Sequence, residues 1–301
     1  MSGDQIDHRA IIASLSASDR ALLTGLTNRD GIVRAAVHFG AIVVLGTAIV
    51  ARVPLWPILV PIQGILIVFL FTAMHETIHG TAFKSARLNR IVSTVAGFLI
   101  FIPPTWFRYF HFAHHRHTHD PDNDPELMSP KPETIAQYAL YLSGMPLWTG
   151  MTKVIVKNAI GRAHEPYVPE RGKAKVRLEA RITLAAYLGF ALASVALWSP
   201  ALLWAWIAPV VLGQPFLRAY LLAEHARCPH VANMLENTRT TFTTALVRLI
   251  AWNMPFHAEH HAYPAVPFHK LPRFHEFVRQ HLRTTERGYV RFNRKFTGGL
   301  R

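Results

Sequence analysis

The sequence predicts an all-α, polytopic membrane protein with four transmembrane helices in two hairpins and a cytosolic, histidine-rich cap. Three observations predict this class. Hydrophobic residues make up 50% of the chain and gather into four nearly uncharged stretches. Basic residues crowd one end of those stretches and avoid the other. The histidines cluster between and after the two hairpins rather than inside them.

The four stretches are Ala35 to Val50, Leu55 to Met74, Ile182 to Trp198 and Ala201 to Leu217. Each approaches the roughly 17–25 residues a helix needs to cross a bilayer, the first and third being somewhat short. Only residues 51–54 separate the first two and only Ser199-Pro200 the last two, so both outer turns are tiny. Of the 32 Lys and Arg, only Arg52 lies in those turns. Arg29, Arg34, Lys84, Arg87, Arg90, Arg177, Arg181, Arg218 and Arg227 flank the opposite ends. The positive-inside rule then places both termini in the cytosol, with cytosolic segments over residues 75–181 and 218–301 of a single domain spanning 1–301.

Residues 1–30 lack the basic, apolar and small-residue order of a cleaved signal. Ile91–Ile102 is apolar but stops at Pro103-Pro104, too short to span; it is expected to lie in the interface or to dip in and return. Ile135–Ile160 mixes Tyr138, Tyr141, Trp148, Lys153 and Lys157 with aliphatics, a composition suited to the membrane surface. The formal net charge of +14 follows the spans and loops, which argues for anionic headgroups and against nucleic acid. Cys228 is the only cysteine. One thiol excludes an internal disulfide and a cluster held by four thiolates, so electrons must come from a partner.

Three clusters carry the chemistry: His75-Glu76-Thr77-Ile78-His79, His111-Phe112-Ala113-His114-His115 and His257-Ala258-Glu259-His260-His261. Side chains three and four apart share a helix face, so each cluster is expected to aim its imidazoles at one point. His75 begins where the second apolar stretch ends, and His225 follows the fourth. All nine imidazoles can therefore converge on the cytosolic face. Imidazole suits iron, zinc, copper and nickel, and nine donors exceed what one ion holds, which implies two ions. Read alone, His75-Glu76-Thr77-Ile78-His79 also fits the HExxH of zinc peptidases. That reading leaves two HxxHH clusters idle.

The spacing resembles the membrane fatty-acid desaturase and hydroxylase superfamily. Arg108-Tyr109-Phe110-His111-Phe112-Ala113-His114-His115-Arg116-His117-Thr118 and the following Asp124-Pro125-Glu126 resemble its second histidine box and loop, and the likeness runs from about Met74 to Leu271. It implies iron, molecular oxygen and an external electron donor; with the two ions that nine imidazoles call for, the cofactor is two iron ions, and the basic cytosolic surface favours an acidic ferredoxin- or rubredoxin-like protein, or a cytochrome, as donor. It assigns metal ligation to His75, His79, His111, His114, His115, His225, His257, His260 and His261. The chain departs from its acyl-CoA desaturases at Leu221, where those have an Asn holding a metal-bound water. Glu224, Glu259 and Asp124 are candidates to orient the ligating imidazoles.

The expected function is O2-dependent desaturation of a lipid acyl chain at the cytoplasmic face of a bacterial inner membrane. A hydroxylase or ketolase of a lipid, carotenoid or small metabolite would use the same site, and a non-enzymatic metal-binding membrane protein is the alternative of another class. Trp56, Phe69, Phe71, Trp204 and Trp206 could line an acyl channel or simply pack. His38, inside the first stretch, is either functional or hydrogen-bonded to a neighbouring helix. His117 and His119 are expected in solvent or behind the ligands. His8, His164, His230, His269, His275 and His281 read as surface or loop residues. Asn237 and Arg239 could bind a headgroup or cap a helix.

Overall fold

The computed structural model describes residues 7–162 and 165–301, so His164 lies outside the described residues. Among these, strand is confined to one parallel pair, Thr240–Phe242 against Thr285–Arg287. Two short helices, α1 (His8–Ser14) and α2 (Ala17–Thr24), come first. Ser16 starts α2 by accepting the Asp19 backbone N–H, which satisfies a donor the helix cannot pair internally.

Four helices are long and apolar enough to cross a membrane. The first is α3 (Arg29–Val50). In the second, α4 (Trp56–Val68) runs on through Phe69 into α5 (Leu70–His79), a stretch of 24 residues. The third is α10 (Glu170–Ala196). In the fourth, a π turn over Leu203–Ile207 leads into α11 (Ala208–His225). The two stretches that read as short belong to helices of 22 and 27 residues. The flank of α10 is rich in Arg, Lys and Glu, which are good helix formers, and α3 begins before its apolar stretch, at Arg29 and Asp30. Val37, Val43 and Val44 on α3 and Ile182, Leu188 and Leu192 on α10 stay exposed, as side chains facing lipid do.

The hairpins meet where α4 crosses α11 at two glycines. A Cβ on Gly64 would lie 2.1 Å from the Pro209 carbonyl oxygen, and one on Gly213 would lie 2.4 Å from that of Gly64. The backbones therefore touch, a small-residue crossing of the kind that packs helices in membranes. Beside it, buried Gln63 donates to the carbonyls of Ile42 (3.1 Å) and Ala205 (3.2 Å). His38 takes the structural role: Trp252 Nε1–H donates to its Nδ1 (3.1 Å), so its Nε2–H faces the Leu66 carbonyl (2.8 Å).

α6 (Ala86–Leu99) and α7 (Pro104–His117) meet at 99°. Pro103 and Pro104 carry no N–H to continue α6, and Phe101 turns the chain at φ 64. The bend returns His111 to within 3.0 Å of His79. The Ile135–Ile160 segment forms two helices, α8 (Ile135–Leu142) and α9 (Met145–Ala159). They break at Gly144, whose φ of 74 suits glycine.

After α11 come α12 (Met234–Asn237), α13 (Ala245–Ile250), α14 (His257–Ala262), α15 (Leu271–Val278) and α16 (Tyr289–Thr297). Phe292 and Phe296 of α16 pack on Leu222, Ala223 and Ala226 at the end of α11. Arg239 donates to the carbonyls of Ala223 and Ala226 and lies over the Phe292 ring. A cation on the last carbonyls closes the helix C-terminus, so Arg239 is a cap and not a headgroup site. Buried Asn237 donates to the Val231 carbonyl. Among the proposed channel aromatics, Trp206 donates to the Leu99 carbonyl (2.7 Å) and stacks on Phe101. Trp56 and Trp204 meet edge to face near the outer turns.

Candidate metal centre

Helix ends and helix faces assemble the histidines. α5 and α11 each close on a histidine, His79 and His225, and α7 and α14 bring His111 to His79 and His257 to His225. The imidazoles form two groups. His75, His79, His111, His115 and His260 bring one nitrogen each within 4.8 Å of one another, and so do His114, His225 and His261. His257 joins the second group with its Nε2 3.1 Å from that of His225.

The HxxHH clusters therefore do not aim at one point. Residues one apart on a helix diverge by about 100°, while residues four apart realign. His111 and His115 accordingly share the first group and His114 turns to the second. In α14 the same geometry sends His257 and His261 to the second group and His260 to the first. His115 and His261 stack across the boundary with centroids 4.0 Å apart.

Two donors at right angles around an ion, each at about 2.1 Å, stand about 3 Å apart. The Nε2 atoms of His79 and His111 are 3.0 Å apart, those of His111 and His115 2.8 Å, and those of His114 and His225 3.2 Å. Hydrogen bonds between rings account for only part of the arrangement. Both nitrogens of buried His75 and His260 and Nε2 of His261 lack a partner, although an orphaned buried polar group costs about 1–3 kcal/mol. Burial also holds His257, His260 and His261 well below the usual histidine range. Neutral imidazoles with free lone pairs fit a bound metal.

Carboxylates fix some of these rings from behind. Asp124 Oδ1 is 2.9 Å from Nδ1 of His114 and also anchors the loop by accepting the Glu126 backbone N–H (2.9 Å). Glu224 Oε1 lies 3.5 Å from Nδ1 of His257, not beside its neighbour His225. Glu259 turns elsewhere: it accepts from Thr240 Oγ1 (2.5 Å) and pairs with Nδ1 of His275 (2.5 Å). That contact draws His275 off the surface. Glu76 is fully buried and accepts the Phe268 N–H (3.0 Å), which ties α5 to the segment leading into α15. His119 is buried against His225 and His230, and His117 lies near Asp120. Leu221, one turn before His225, packs into the core.

The chain matches the family model described as fatty acid desaturase over residues 53–293. It belongs to the fatty acid desaturase family. No curated protein matches it. Membership and the four apolar helices make it an integral membrane oxidoreductase of the desaturase and hydroxylase type, and the histidine groups give this desaturase-family chain a metal site.

One carboxylate escaped the sequence reading. Glu126 Oε2 lies 3.4 Å from Nε2 of His114, on the side where the second group gathers. Its signal was its place in the Asp124-Pro125-Glu126 loop that resembles the family's, in which only Asp124 carries a candidate role.

Proposed function

We propose that the protein is an O2-dependent, non-haem di-iron desaturase that introduces a double bond into a lipid acyl chain. The observation that carries this reading is the pair of imidazole groups, five and four strong, side by side at the ends of two apolar helices. One iron would be held by His75, His79, His111, His115 and His260, the other by His114, His225, His257 and His261. Bound iron with oxygen supplies the capacity to take hydrogen from an unactivated carbon, which no side chain has.

The chain's own residues position and dry the site. Asp124 accepting from Nδ1–H of His114 leaves the Nε2 lone pair directed inward. Phe107 lies parallel to the His111 ring (13°) and edge-on to Phe71. These aromatics form an apolar wall on the membrane side, where an acyl chain would approach. With both termini cytoplasmic, at a bacterial inner membrane, the basic flanks face an external ferredoxin-, rubredoxin- or cytochrome-type donor, and an acidic one would be steered to them. Activity with such a purified donor should fall as ionic strength rises.

The test is expression in a host supplied with labelled oxygen, followed by mass spectrometry of its lipids. A loss of two hydrogens from an acyl chain is expected. Labelled oxygen retained in the product would establish hydroxylation, and unchanged lipids would overturn the acyl substrate.

A further inference from the structure

We propose that Glu126 is itself a metal ligand, the anionic oxygen donor of the second group, held in place by Lys131. The inference rests on the di-iron reading and goes beyond the nine histidines. Lys131 Nζ donates to Oε1 of Glu126 at 2.5 Å, which leaves Oε2 facing Nε2 of His114 at 3.4 Å.

That contact is informative because of what lies on the other side of the ring. A neutral imidazole carries one N–H, and Asp124 accepts it at Nδ1 of His114. The His114 Nε2 is then a lone pair. It faces a carboxylate oxygen at 3.4 Å and Nε2 of His225 at 3.2 Å. Acceptors turned towards each other repel unless a cation, a proton or a metal ion, sits between them; the metal accounts for the close approach of His225 as well. Asp124 brings Glu126 beside His114 by holding both, while His225 arrives from the separate helix α11.

The donor count points the same way. The first group offers five imidazoles and the second four; Glu126 makes five on each side. Imidazole neutralises none of an ion's charge, whereas one carboxylate lowers it by one unit. On α11, the side chain one turn before His225 is Leu221, which offers no donor.

The experiment is anaerobic titration of the detergent-purified apoprotein with Fe2+, read by elemental analysis and Mössbauer spectroscopy. Wild type should bind two ions per chain. Glu126→Gln, which keeps the shape and removes the charge, should weaken one of the two at least about 10-fold, the scale seen even for groups that only support ligands. It should change the same Mössbauer component that His225→Ala removes, and leave the component lost in His75→Ala untouched. Two ions bound by Glu126→Gln with wild-type affinity and spectrum would overturn the ligand role and leave Glu126 paired with a protonated His114. Fewer than two ions in wild type would overturn the di-iron reading itself, a separate failure. Should the glutamine variant lose its fold, Glu126→Ala titrated with acetate answers the same question. Recovery of the second ion supports the carboxylate donor, and no effect of acetate contradicts it.

Discussion

At the scale of single residues, the two kinds of buried histidine behave oppositely. His38 has both ring nitrogens engaged, by Trp252 and the Leu66 carbonyl, and is complete without a metal. His260 has neither engaged. His260→Ala should abolish activity and lower bound iron; wild-type turnover in that variant would contradict its ligand role. His38→Leu should leave iron content unchanged yet cost about 1–3 kcal/mol in thermal denaturation, because it orphans a buried indole N–H. Asp124→Ala frees His114 to rotate and should weaken iron binding by about 10–100-fold, measured by competition with a chelator. The ligand types and their HxxxH and HxxHH spacing were legible in the sequence. The division between groups was not, because local geometry shows only that His114 and His115 diverge. Which way each turns depends on where α5, α11 and α14 lie. The Glu259–His275 pair follows no spacing rule at all.

At the scale of elements, the Gly64–Gly213 crossing carries the histidines of α5 and α11 together. Neither glycine stands out in an apolar stretch, and their meeting depends on how two distant helices pack. Gly213→Val inserts a branched side chain where backbones touch and should cost about 1–3 kcal/mol. Since α5 serves the first group and α11 the second, iron binding in both should weaken together. Loss confined to one group would show that the crossing does not set their relation. The α6–α7 break was announced by Pro103-Pro104, but its 99° angle was not. α16 docks through Glu286, which lies 2.6 Å from Lys295 and 3.3 Å from Arg291. Burial favours the neutral acid there, yet Lys295 outweighs it and lowers the carboxyl. A lowered carboxyl stabilises the fold above its unfolded value of 4.5 and loses that contribution as pH falls through the folded value. Protection of α16 amides from exchange should drop in acid below pH 4.5, and Glu286→Gln should remove that dependence.

At the scale of the whole molecule, hydropathy and charge placement specified the two hairpins, because lipid constrains helix length more strictly than water does. They underestimated the first and third helices, whose charged turns extend beyond the apolar layer. The central claim is that the two imidazole groups hold one iron each. It is tested most directly by iron content per chain in wild type, His79→Ala and His257→Ala. The account predicts two ions in wild type and one in each variant, with different Mössbauer components surviving. A single ion in wild type, or loss of the same component in both variants, would contradict it.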